Sequence, residues 1–504
     1  MLGLAVRNTR KLVRRKVEEE NVRLGRYFTK KEQAAKMAAM LTLPQKETVT
    51  VLDAGAGTGI LAAAVVERLC KETPVKEIFL DCYEISETFL PMLKDNLERI
   101  RKKVLHDYKI RLRYTVKEEN YILAQGKLTP DDPRVSMLDK TYYDLAIANP
   151  PRELMKTGSE EYKVCRRLCS GDTDICYLFA AAISAALVPG GEAALMLPVV
   201  FTTGAYMEKV RRYLFDRTVL TAAHLFLNRS TNERSLDEAR KSMILLLKNE
   251  EEAPATVHIT TSYGDGVETV SDMHLPYDDV VRGEDKSLLL LGSEEEAAVL
   301  ATVARFPETL SSLGLRMKTG LLLESRHPDI LREKQEEGAV PVICPANLHL
   351  GQVVLPHPSV KKQYITQEVP SVLQKNKNML LVKRVPAKSD KKALFCGAYL
   401  AAQVPYSRVI STHNKLNYID YADDREMDFN MVYGLYVVLN SSLYGKYYSI
   451  VSKSKQINAS EFADLPLPSA PALRAMGAGL AMTRVFSEKT CDTLLAQQMR
   501  SGKF

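Results

Sequence analysis

The chain has 504 residues, more than one ordinary hydrophobic core accommodates, so two or three domains are expected. Its residues are 46% hydrophobic and 26% charged, as in globular proteins, and no apolar run reaches membrane-spanning length, so no membrane association is expected. The net charge of +7 permits binding to nucleic acid without requiring it.

The N-terminal segment and the cysteines indicate the cellular compartment in which the protein is expected. The Arg-rich start runs directly into Glu18, Glu19 and Glu20, which fits a helix of mixed charge better than a secretory signal or transit peptide. The eight cysteines include no Cys-x-x-Cys pair, and Cys165 and Cys169 have no nearby histidine partner, so no metal is expected. Cysteines scattered among apolar residues indicate a reducing cytoplasm.

Along the chain, residues 1–24 are predicted to form a helix, and a second helix over 30–41 would be capped by Thr29. Apolar strands and amphipathic helices then alternate. The predicted strands are 49–52, 77–83, 110–116, 143–148, 192–198, 222–227 and 242–247. The predicted helices are 60–70, 88–104, 174–187 and 204–215.

This alternation predicts an α/β fold with a doubly wound, mostly parallel sheet of seven strands. No clear helix joins the last two strands, so one of them is expected to run antiparallel. An acidic segment at 250–254 and a transitional stretch follow. The irregular, Pro-containing pattern after that predicts a first domain over 1–285 and an α+β second domain over 286–504.

A glycine-rich loop follows the first of these strands. Asp53 ends the strand, and Gly55, Gly57 and Gly59 alternate before the next helix. Glycines let the backbone turn tightly and approach a ligand closely. The dinucleotide pattern would place glycine at position 60, where this chain has Ile60, so the spacing favours a cofactor without pyrophosphate. The alternative is a strand–helix turn with no ligand.

Glu84 stands at the carboxyl end of the next strand. Ligands of open α/β sheets bind at this edge, where an acid can accept hydrogen bonds from both hydroxyls of a ribose. Alone, such a residue is more often a solvated charge. Next to the glycine loop it becomes a candidate for ribose binding.

The tripeptide Asn149-Pro150-Pro151 directly follows a third apolar strand. The prolines fix the backbone and hold the residue before each of them extended, so Asn149 is expected to be presented rigidly at the ligand edge. An amide oxygen and the Pro150 carbonyl can both accept N–H bonds from an aromatic amine. That would aim the lone pair of the nitrogen at an electrophile by positioning and electrostatics. The alternative is a loop that simply stops the strand.

Glycine loop, strand-end acid and Asn-Pro-Pro occur here in the order seen in the amino-methyltransferases of restriction–modification systems. The chain resembles their gamma group, the DNA adenine-N6 methyltransferases. The resemblance implies the seven-stranded sheet of class I methyltransferases, S-adenosylmethionine as cofactor, and a C-terminal domain that recognises the DNA target. It implies adenine-specific methylation of double-stranded DNA, as the modification half of a restriction–modification system.

The resemblance extends to both ends of the chain. Residues 25–29, with Tyr27 and Thr29, resemble the N-terminal motif that binds the methionine part of the cofactor in this family. Residues 440–443, 456–458 and 465–468 resemble the end of its target-recognition domain.

The chain departs from the family pattern at two places. Arg152 stands where the family has an aromatic residue that stacks on the target base, and a guanidinium plane can also stack on a base. Asn120 and Tyr121 occupy the position of the family's Asp-Phe pair at the cofactor adenine. Phe226 matches a position that supplies a second stacking aromatic, although a buried core phenylalanine is an equal alternative.

The target base lies inside the duplex, so it would have to be flipped out of the stack. Basic clusters of the second domain are expected to form a phosphate-facing cleft. Their residues are Lys361, Lys362, Lys375, Lys377, Lys383, Arg384, Lys388, Lys391, Lys392, Lys453 and Lys455. No metal-binding nuclease pattern is present, so the expectation is either a restriction endonuclease that is a separate partner or no such partner.

The sequence leaves two alternative functions open. Asn-Pro-Pro also occurs in enzymes that methylate RNA or a protein glutamine, although the long C-terminal domain and the motif at 25–29 favour DNA. The chain could also be a DNA-binding protein with weakened catalysis, as Arg152 and Asn120 suggest, although the intact glycine loop and Asn149 argue against it. The DNA recognition sequence cannot be read from these residues.

Overall fold

The computed structural model describes residues 1–13, 29–126, 142–171, 173–227, 242–264, 268–385, 394–452 and 456–502. The described residues up to Ser293 form one compact unit, here called the N-terminal unit, and those from Glu294 onward form the C-terminal unit. Within these ranges, none of the helices combines the length and the apolar character required to cross a membrane.

The N-terminal unit alternates strands and helices for most of its length. Its strands are β1 (Thr48–Ala54), β2 (Glu77–Tyr83), β3 (Arg111–Lys117), β4 (Tyr143–Ala148), β5 (Leu187–Pro198), β6 (Val219–Leu227), β7 (Ser242–Lys248), β8 (Thr256–Tyr263), β9 (Thr269–Pro276), β10 (Val281–Arg282) and β11 (Ser287–Leu288). Its α-helices are α1 (Leu2–Val13), α2 (Lys31–Met40), α3 (Ile60–Glu72), α4 (Leu90–Tyr108), α5 (Tyr121–Ala124), α6 (Glu160–Val164), α7 (Ile175–Ser184), α8 (Glu208–Phe215) and α9 (Tyr277–Val280).

The sheet of this unit has the strand order β3-β2-β1-β4-β5-β7-β6-β8-β9. Strands β1 to β5 pair in parallel, β7 lies antiparallel between β5 and β6, and β6 pairs in parallel with β8. The predicted α/β class, the mostly parallel sheet and the antiparallel strand are confirmed. The predicted number of seven strands is wrong, because β8 and β9 add a hairpin after the acidic segment.

The middle of the sheet is buried because helices cover both of its faces. All six residues of β4 are buried, as expected for a strand of a parallel sheet with helices on either side. One face packs against α7, whose sequence is apolar all round. The other face packs against α3 and α4. The N-terminal amine donates to Glu67 of α3 across 2.7 Å, which fastens α1 to this layer.

The boundaries of α2 and α7 differ from those expected for reasons that the hydrogen bonds show. Helix α2 begins after Lys30, which is its N-cap, and the Thr29 hydroxyl bonds to Asn149 and does not cap the helix. Helix α7 begins after Asp174, whose carboxylate accepts from the Cys176 N–H, and ends at Ser184, since Leu187 already belongs to β5. The helix expected over 174–187 is therefore too long at its C-terminal end, where it includes the first residue of β5.

The C-terminal unit has an α+β composition with short strands followed by helices. Its strands are β12 (Leu315–Thr319), β13 (Leu331–Arg332), β14 (Val340–Ile343), β15 (Leu348–His349), β16 (Gln352–Val353), β17 (Tyr364–Ile365), β18 (Gln374–Lys375), β19 (Met379–Lys383), β20 (Cys396–Tyr399), β21 (Val409–Thr412) and β22 (Leu416–Tyr421). Its α-helices are α10 (Glu294–Val303), α11 (Phe429–Asn440), α12 (Ser442–Val451), α13 (Ala470–Thr483) and α14 (Glu488–Arg500).

These strands form a sheet of order β12-β22-β19-β20-β16-β15 and another of order β13-β17-β14-β21-β18. Helices α11 and α13 approach each other closely. A Cβ at Gly434 would collide with the Leu473 carbonyl, and a Cβ at Gly477 would collide with the Asn430 carbonyl. Short 3-10 turns complete both units, at Val199–Thr202, Ala205–Met207, Glu324–Arg326, Pro328–Ile330, Pro345–Asn347, Pro370–Val372, Ala401–Gln403 and Ala459–Phe462.

The structure corrects part of the expected basic cleft. Lys377 is buried and its ammonium pairs with Asp424, which also pairs with Lys375, so these lysines serve the unit's own ion pairs. Lys383 lies over the Phe395 ring at 3.9 Å. Lys361 and Lys362 are exposed. The remaining expected lysines lie outside the described residues, namely Lys388, Lys391, Lys392, Lys453 and Lys455.

Candidate active site

The candidate site lies where three neighbouring parallel strands end. In the sheet β1 lies between β2 and β4, and Asp53 of β1 is in register with Cys82 and with Ile147. The residues that follow each strand therefore meet at one edge, which is the usual ligand position in such a sheet. Here the glycine loop, Glu84 and Asn149 come together.

A cavity opens at this edge. Of the expected site residues, it is lined by Gly55, Gly57, Glu84, Asn120, Tyr121, Asn149 and Pro151. Its other lining residues were not expected from the sequence and are Tyr83, Ile85, Phe89, Glu119, Glu153, Glu161, Ile175 and Phe179. Of these, Ile85 directly follows the strand-end acid in the sequence, and the structure leaves about half of it exposed at the cavity, 51%. Glu161 and Phe179 gave none, since they come from distant helices.

The glycine loop uses the conformational freedom of its glycines. Gly55, Gly57 and Gly59 have φ angles of 78°, 55° and 81°, in the left-handed region that side chains disfavour. A Cβ at Gly59 would lie 2.9 Å from the Leu93 side chain, whereas one at Gly57 would meet no atom of the described residues within 4 Å. Gly59 therefore serves close helix packing, and Gly57 leaves open space on the cavity side for a ligand.

Asp53 lies beneath the loop and is fully buried. Its Oδ2 accepts from the Ala62 N–H at 3.0 Å, while its Oδ1 has no hydrogen-bond partner among the described residues. Burial raises the pKa of this carboxyl to about 7, the Ala62 bond opposes that shift, and the charge of Glu84 adds to it. A buried acceptor without a partner is costly, and this cost falls on a residue that lies outside the cavity lining.

Glu84 is a buried acid that organises the loop around it. Its Oε2 accepts from the Gly57 N–H at 2.7 Å, and its Oε1 accepts from the backbone N–H groups of Ile85 and Ser86. The carboxylate therefore holds the second glycine and the start of the next segment in place. It also lines the cavity, as a ribose-binding acid must.

Asn120 and Tyr121 have structural tasks in addition to lining the cavity. Asn120 caps α5, accepting from the Ile122 N–H, and its amide donates to Glu161 at 2.9 Å. The Tyr121 ring packs edge-on against Tyr83, with centroids 4.8 Å apart, and its buried hydroxyl has no partner among the described residues. The cavity wall at this point is thus aromatic, which suits a flat ring.

Asn149 follows β4 and is half-buried at the rim of the cavity, with the buried Pro150 behind it. Its Nδ2 donates to the Thr29 hydroxyl at 3.1 Å, so its Oδ1 keeps no hydrogen-bond partner among the described residues. The amide thus offers an acceptor at the rim. Tyr27, the other expected residue of the N-terminal motif, lies outside the described residues.

The two candidate stacking residues lie outside the cavity lining. The Arg152 guanidinium donates to the Ser242 hydroxyl at 2.7 Å, at the start of β7. Phe226 is partly buried against the core and packs edge-on to His224, with ring centroids 4.8 Å apart. Both residues therefore have partners within the unit.

The comparisons with known proteins agree with this geometry. The chain is 26% identical over 466 residues to the Type II methyltransferase M.BsuBI of Bacillus subtilis, a match that spans 90% of this chain and 89% of that protein. It is 25% identical over 429 residues to the Type II methyltransferase M.PstI of Providencia stuartii, spanning 83% and 82%. The chain is a relative of these Type II methyltransferases. The predicted relationship is thereby confirmed, and with it the expectation of S-adenosylmethionine as cofactor.

No family model matches the chain. Among solved structures, the Type IIL restriction-modification enzyme MmeI, determined in complex with DNA, aligns with a TM-score of 0.52 and 9% identity. That alignment covers 99% of this chain and 74% of MmeI, so the similarity in fold includes residues of both units.

Proposed function

We propose that this chain transfers a methyl group from S-adenosylmethionine to the N6 amine of an adenine flipped out of double-stranded DNA. The observation that carries the proposal is Asn149 at the rim of a cavity that begins at the glycine loop. Its amide nitrogen bonds to Thr29, and its amide oxygen has no partner among the described residues.

The residues of the cavity fit the cofactor. Gly57 leaves open space beside the loop, Glu84 would face the ribose, and the aromatic wall at Tyr121 would face the adenine. Asp53, fully buried beneath the loop, would hold the loop in place through its bond to the Ala62 N–H. When bound, the cofactor supplies an electrophilic methyl group. Thr29 and Asn120 are proposed to lie next to the bound cofactor as well.

Asn149 would act on the target amine by hydrogen bonding. Its amide oxygen and the Pro150 carbonyl would each accept one N–H of the adenine amine. That draws the nitrogen toward tetrahedral geometry and frees its lone pair for attack, and no strong base is needed. Pro151, next in the chain, lies 3.7 Å from the Cβ position of Gly55 and so joins the tripeptide to the loop.

DNA is proposed as the substrate because the similarity to Type II methyltransferases runs through both units and not only through the sheet. The C-terminal unit would supply target recognition. Arg152 and Phe226 remain proposed neighbours of the flipped base. A separate endonuclease is the proposed partner, and the eight free, buried cysteines fit a reducing cytoplasm.

Incubation with methyl-labelled S-adenosylmethionine and separate pools of DNA, RNA and protein tests the proposal. Label should enter DNA alone and should be found as N6-methyladenine after nucleoside analysis. Label only in RNA or protein contradicts the choice of DNA. Cofactor binding without transfer to any pool indicates a DNA-binding protein with lost catalysis.

A matched pair of variants tests the role of Asn149. Asn149→Ala should abolish transfer and keep cofactor binding, measured by calorimetry. Asn249→Ala is the control, because Asn249 directly follows β7, at the end of the sheet opposite to Asn149, and its side-chain amide donates to the Leu187 carbonyl. It should keep full activity. Full activity in Asn149→Ala refutes the proposed mechanism.

A further inference from the structure

His258, Asp272 and His274 form a cluster on the hairpin of β8 and β9, away from the residues that line the cavity. His258 and His274 are directly opposed in the antiparallel register. Asp272 stands two residues before His274, so it projects from the same face of the strand. The potential ligand atoms of all three side chains lie within 4.8 Å of one another.

The side chains of this cluster contact one another through a hydrogen bond and through ring stacking. The His258 Nε2 lies 2.8 Å from the Asp272 Oδ1. The imidazole rings of His258 and His274 stack in parallel, with centroids 4.5 Å apart and planes 2° apart. Two imidazole rings and one carboxylate therefore share one small patch of surface.

From this arrangement we propose that His258, Asp272 and His274 form a binding site for a divalent transition-metal ion of the Zn²⁺ class, with water completing its coordination. Neutral imidazole nitrogens and a carboxylate oxygen are the donors that Zn²⁺ prefers, at about 2.0–2.2 Å. Ligand atoms around a tetrahedral ion are about 3.3 Å apart.

The cluster reaches that spacing by rotation of side chains. Asp272 and His274 are exposed and His258 is half-exposed, so the stacked rings can turn to point their nitrogens at one ion. The backbone stays in place, because the pairs Val257–Leu275 and Ile259–Met273 fix the register on both sides of His258. The ion would thus join the two strands at the edge of the sheet.

Lys36 of α2 is the positive charge that faces this cluster. Its ammonium donates to the Thr269 hydroxyl at 3.3 Å. Burial lowers the pKa of the Lys36 amine, and the negative charge of Asp272 opposes that shift. The positive charge of the ammonium would repel a metal ion bound near Asp272, and its removal should strengthen metal binding.

Calorimetric titration of the untagged, chelator-treated chain with ZnCl₂ tests the site. The chain should bind one ion, and MgCl₂ should give no signal because Mg²⁺ prefers oxygen ligands. A saturating excess of Zn²⁺ should raise the melting temperature by on the order of 5 °C. Absence of Zn²⁺ binding, or equal binding of Mg²⁺, overturns the proposal.

Variants locate the ion. His258→Ala, His274→Ala and the isosteric Asp272→Asn should each weaken binding by at least about tenfold, since even second-shell losses cost about 10- to 100-fold. Lys36→Gln should tighten it severalfold. His349→Ala is the control, because His349 and His357 form another surface pair with ring centroids 6.4 Å apart.

The affinities of these variants for Zn²⁺ distinguish a site at this cluster from a site elsewhere in the chain. Unchanged affinity in both His258→Ala and His274→Ala places the ion elsewhere in the chain and overturns the assignment. Loss of binding in Asp272→Asn, with a melting curve like that of the parent without metal, supports it without a folding artefact. Methyl transfer plays no part in this test, so its result is independent of the proposed function.

Discussion

The amide nitrogen of Asn149 donates to the hydroxyl of Thr29 across 3.1 Å. The two residues lie far apart in the chain, one before α2 and the other after β4. In this arrangement the nitrogen of the Asn149 amide is occupied. The oxygen, the end that the proposed chemistry needs, has no hydrogen-bond partner among the described residues and would accept from the substrate.

Thr29→Val tests this positioning, because valine keeps the shape of threonine and removes the hydroxyl. A hydrogen bond contributes about 0.5–1.5 kcal/mol, so kcat should fall by up to about tenfold, with KM for the cofactor unchanged. Thr29→Ser retains the hydroxyl and should retain the rate. A raised KM for the cofactor at constant kcat would assign the hydroxyl to the cofactor and not to Asn149.

Gly59→Ala should destabilise the N-terminal unit. The left-handed backbone costs an alanine about 1–2 kcal/mol, and its Cβ would lie 2.9 Å from Leu93, so the total loss should be about 2–4 kcal/mol. Gly126→Ala is the matched control, because Gly126 has a φ of 65° and no atom within 4 Å of the added Cβ. Urea unfolding measures both. Equal losses would show that contact with Leu93 is unimportant.

Asp53 predicts a pH dependence of stability. Its pKa rises from 3.8 in the unfolded chain to about 7 in the fold, so the folded state binds the proton more tightly. This stabilisation is complete below about pH 4 and is lost as the pH rises to about 7. The free energy of unfolding of Asp53→Asn, measured without cofactor, should therefore exceed that of the parent by more at pH 8 than at pH 5. The increase in this excess should be on the order of a few kcal/mol.

Denaturant titrations of both chains at these two pH values measure that difference. The asparagine oxygen can still accept from the Ala62 N–H, so the substitution keeps the one bond that Asp53 makes to the described residues. A difference between the two chains that does not change with pH would mean that Asp53 is ionised in the fold at both values.

Lys361 and Lys362 are two of the expected phosphate contacts of the second domain, and both are exposed. Each contact releases about 0.9 counterion, so replacing both by glutamine should reduce the slope of log K against log salt by about 1.8. Lys375→Gln is the control, because Lys375 is paired with Asp424. Fluorescence anisotropy with a DNA duplex at several salt concentrations measures the slopes. An unchanged slope in the double variant excludes these lysines from the phosphate contacts.

The strands and the strand-end motifs could be predicted from the sequence because their signals are local. An apolar run such as β4 has to be buried on both faces, and Asn149-Pro150-Pro151 has to follow it directly. The adjacency of β2, β1 and β4 then brings Glu84, the glycine loop and Asn149 together. Parallel strands joined through helices leave little freedom at this edge of the sheet.

Tertiary contacts decided what could not be predicted. The sequence predicts that Lys377 is an exposed cation. In the structure Lys377 is buried and pairs with Asp424, which is distant in the chain. Strand β9 alternates exposed and half-exposed residues and lacks the apolar run of an inner strand, so the hairpin was not recognised. Phe179 and Glu161 reach the cavity only because α7 and α6 pack there.

The strand order makes β3 and β9 the outer strands of the nine-stranded sheet. An outer strand presents unpaired backbone groups to which a strand of another molecule can add. On β3 the exposed side chains include Arg111 and Arg113, and on β9 they include Asp272 and His274. Charged and polar side chains at such borders oppose intermolecular β-pairing, which protects the chain against aggregation through its sheet at high concentration.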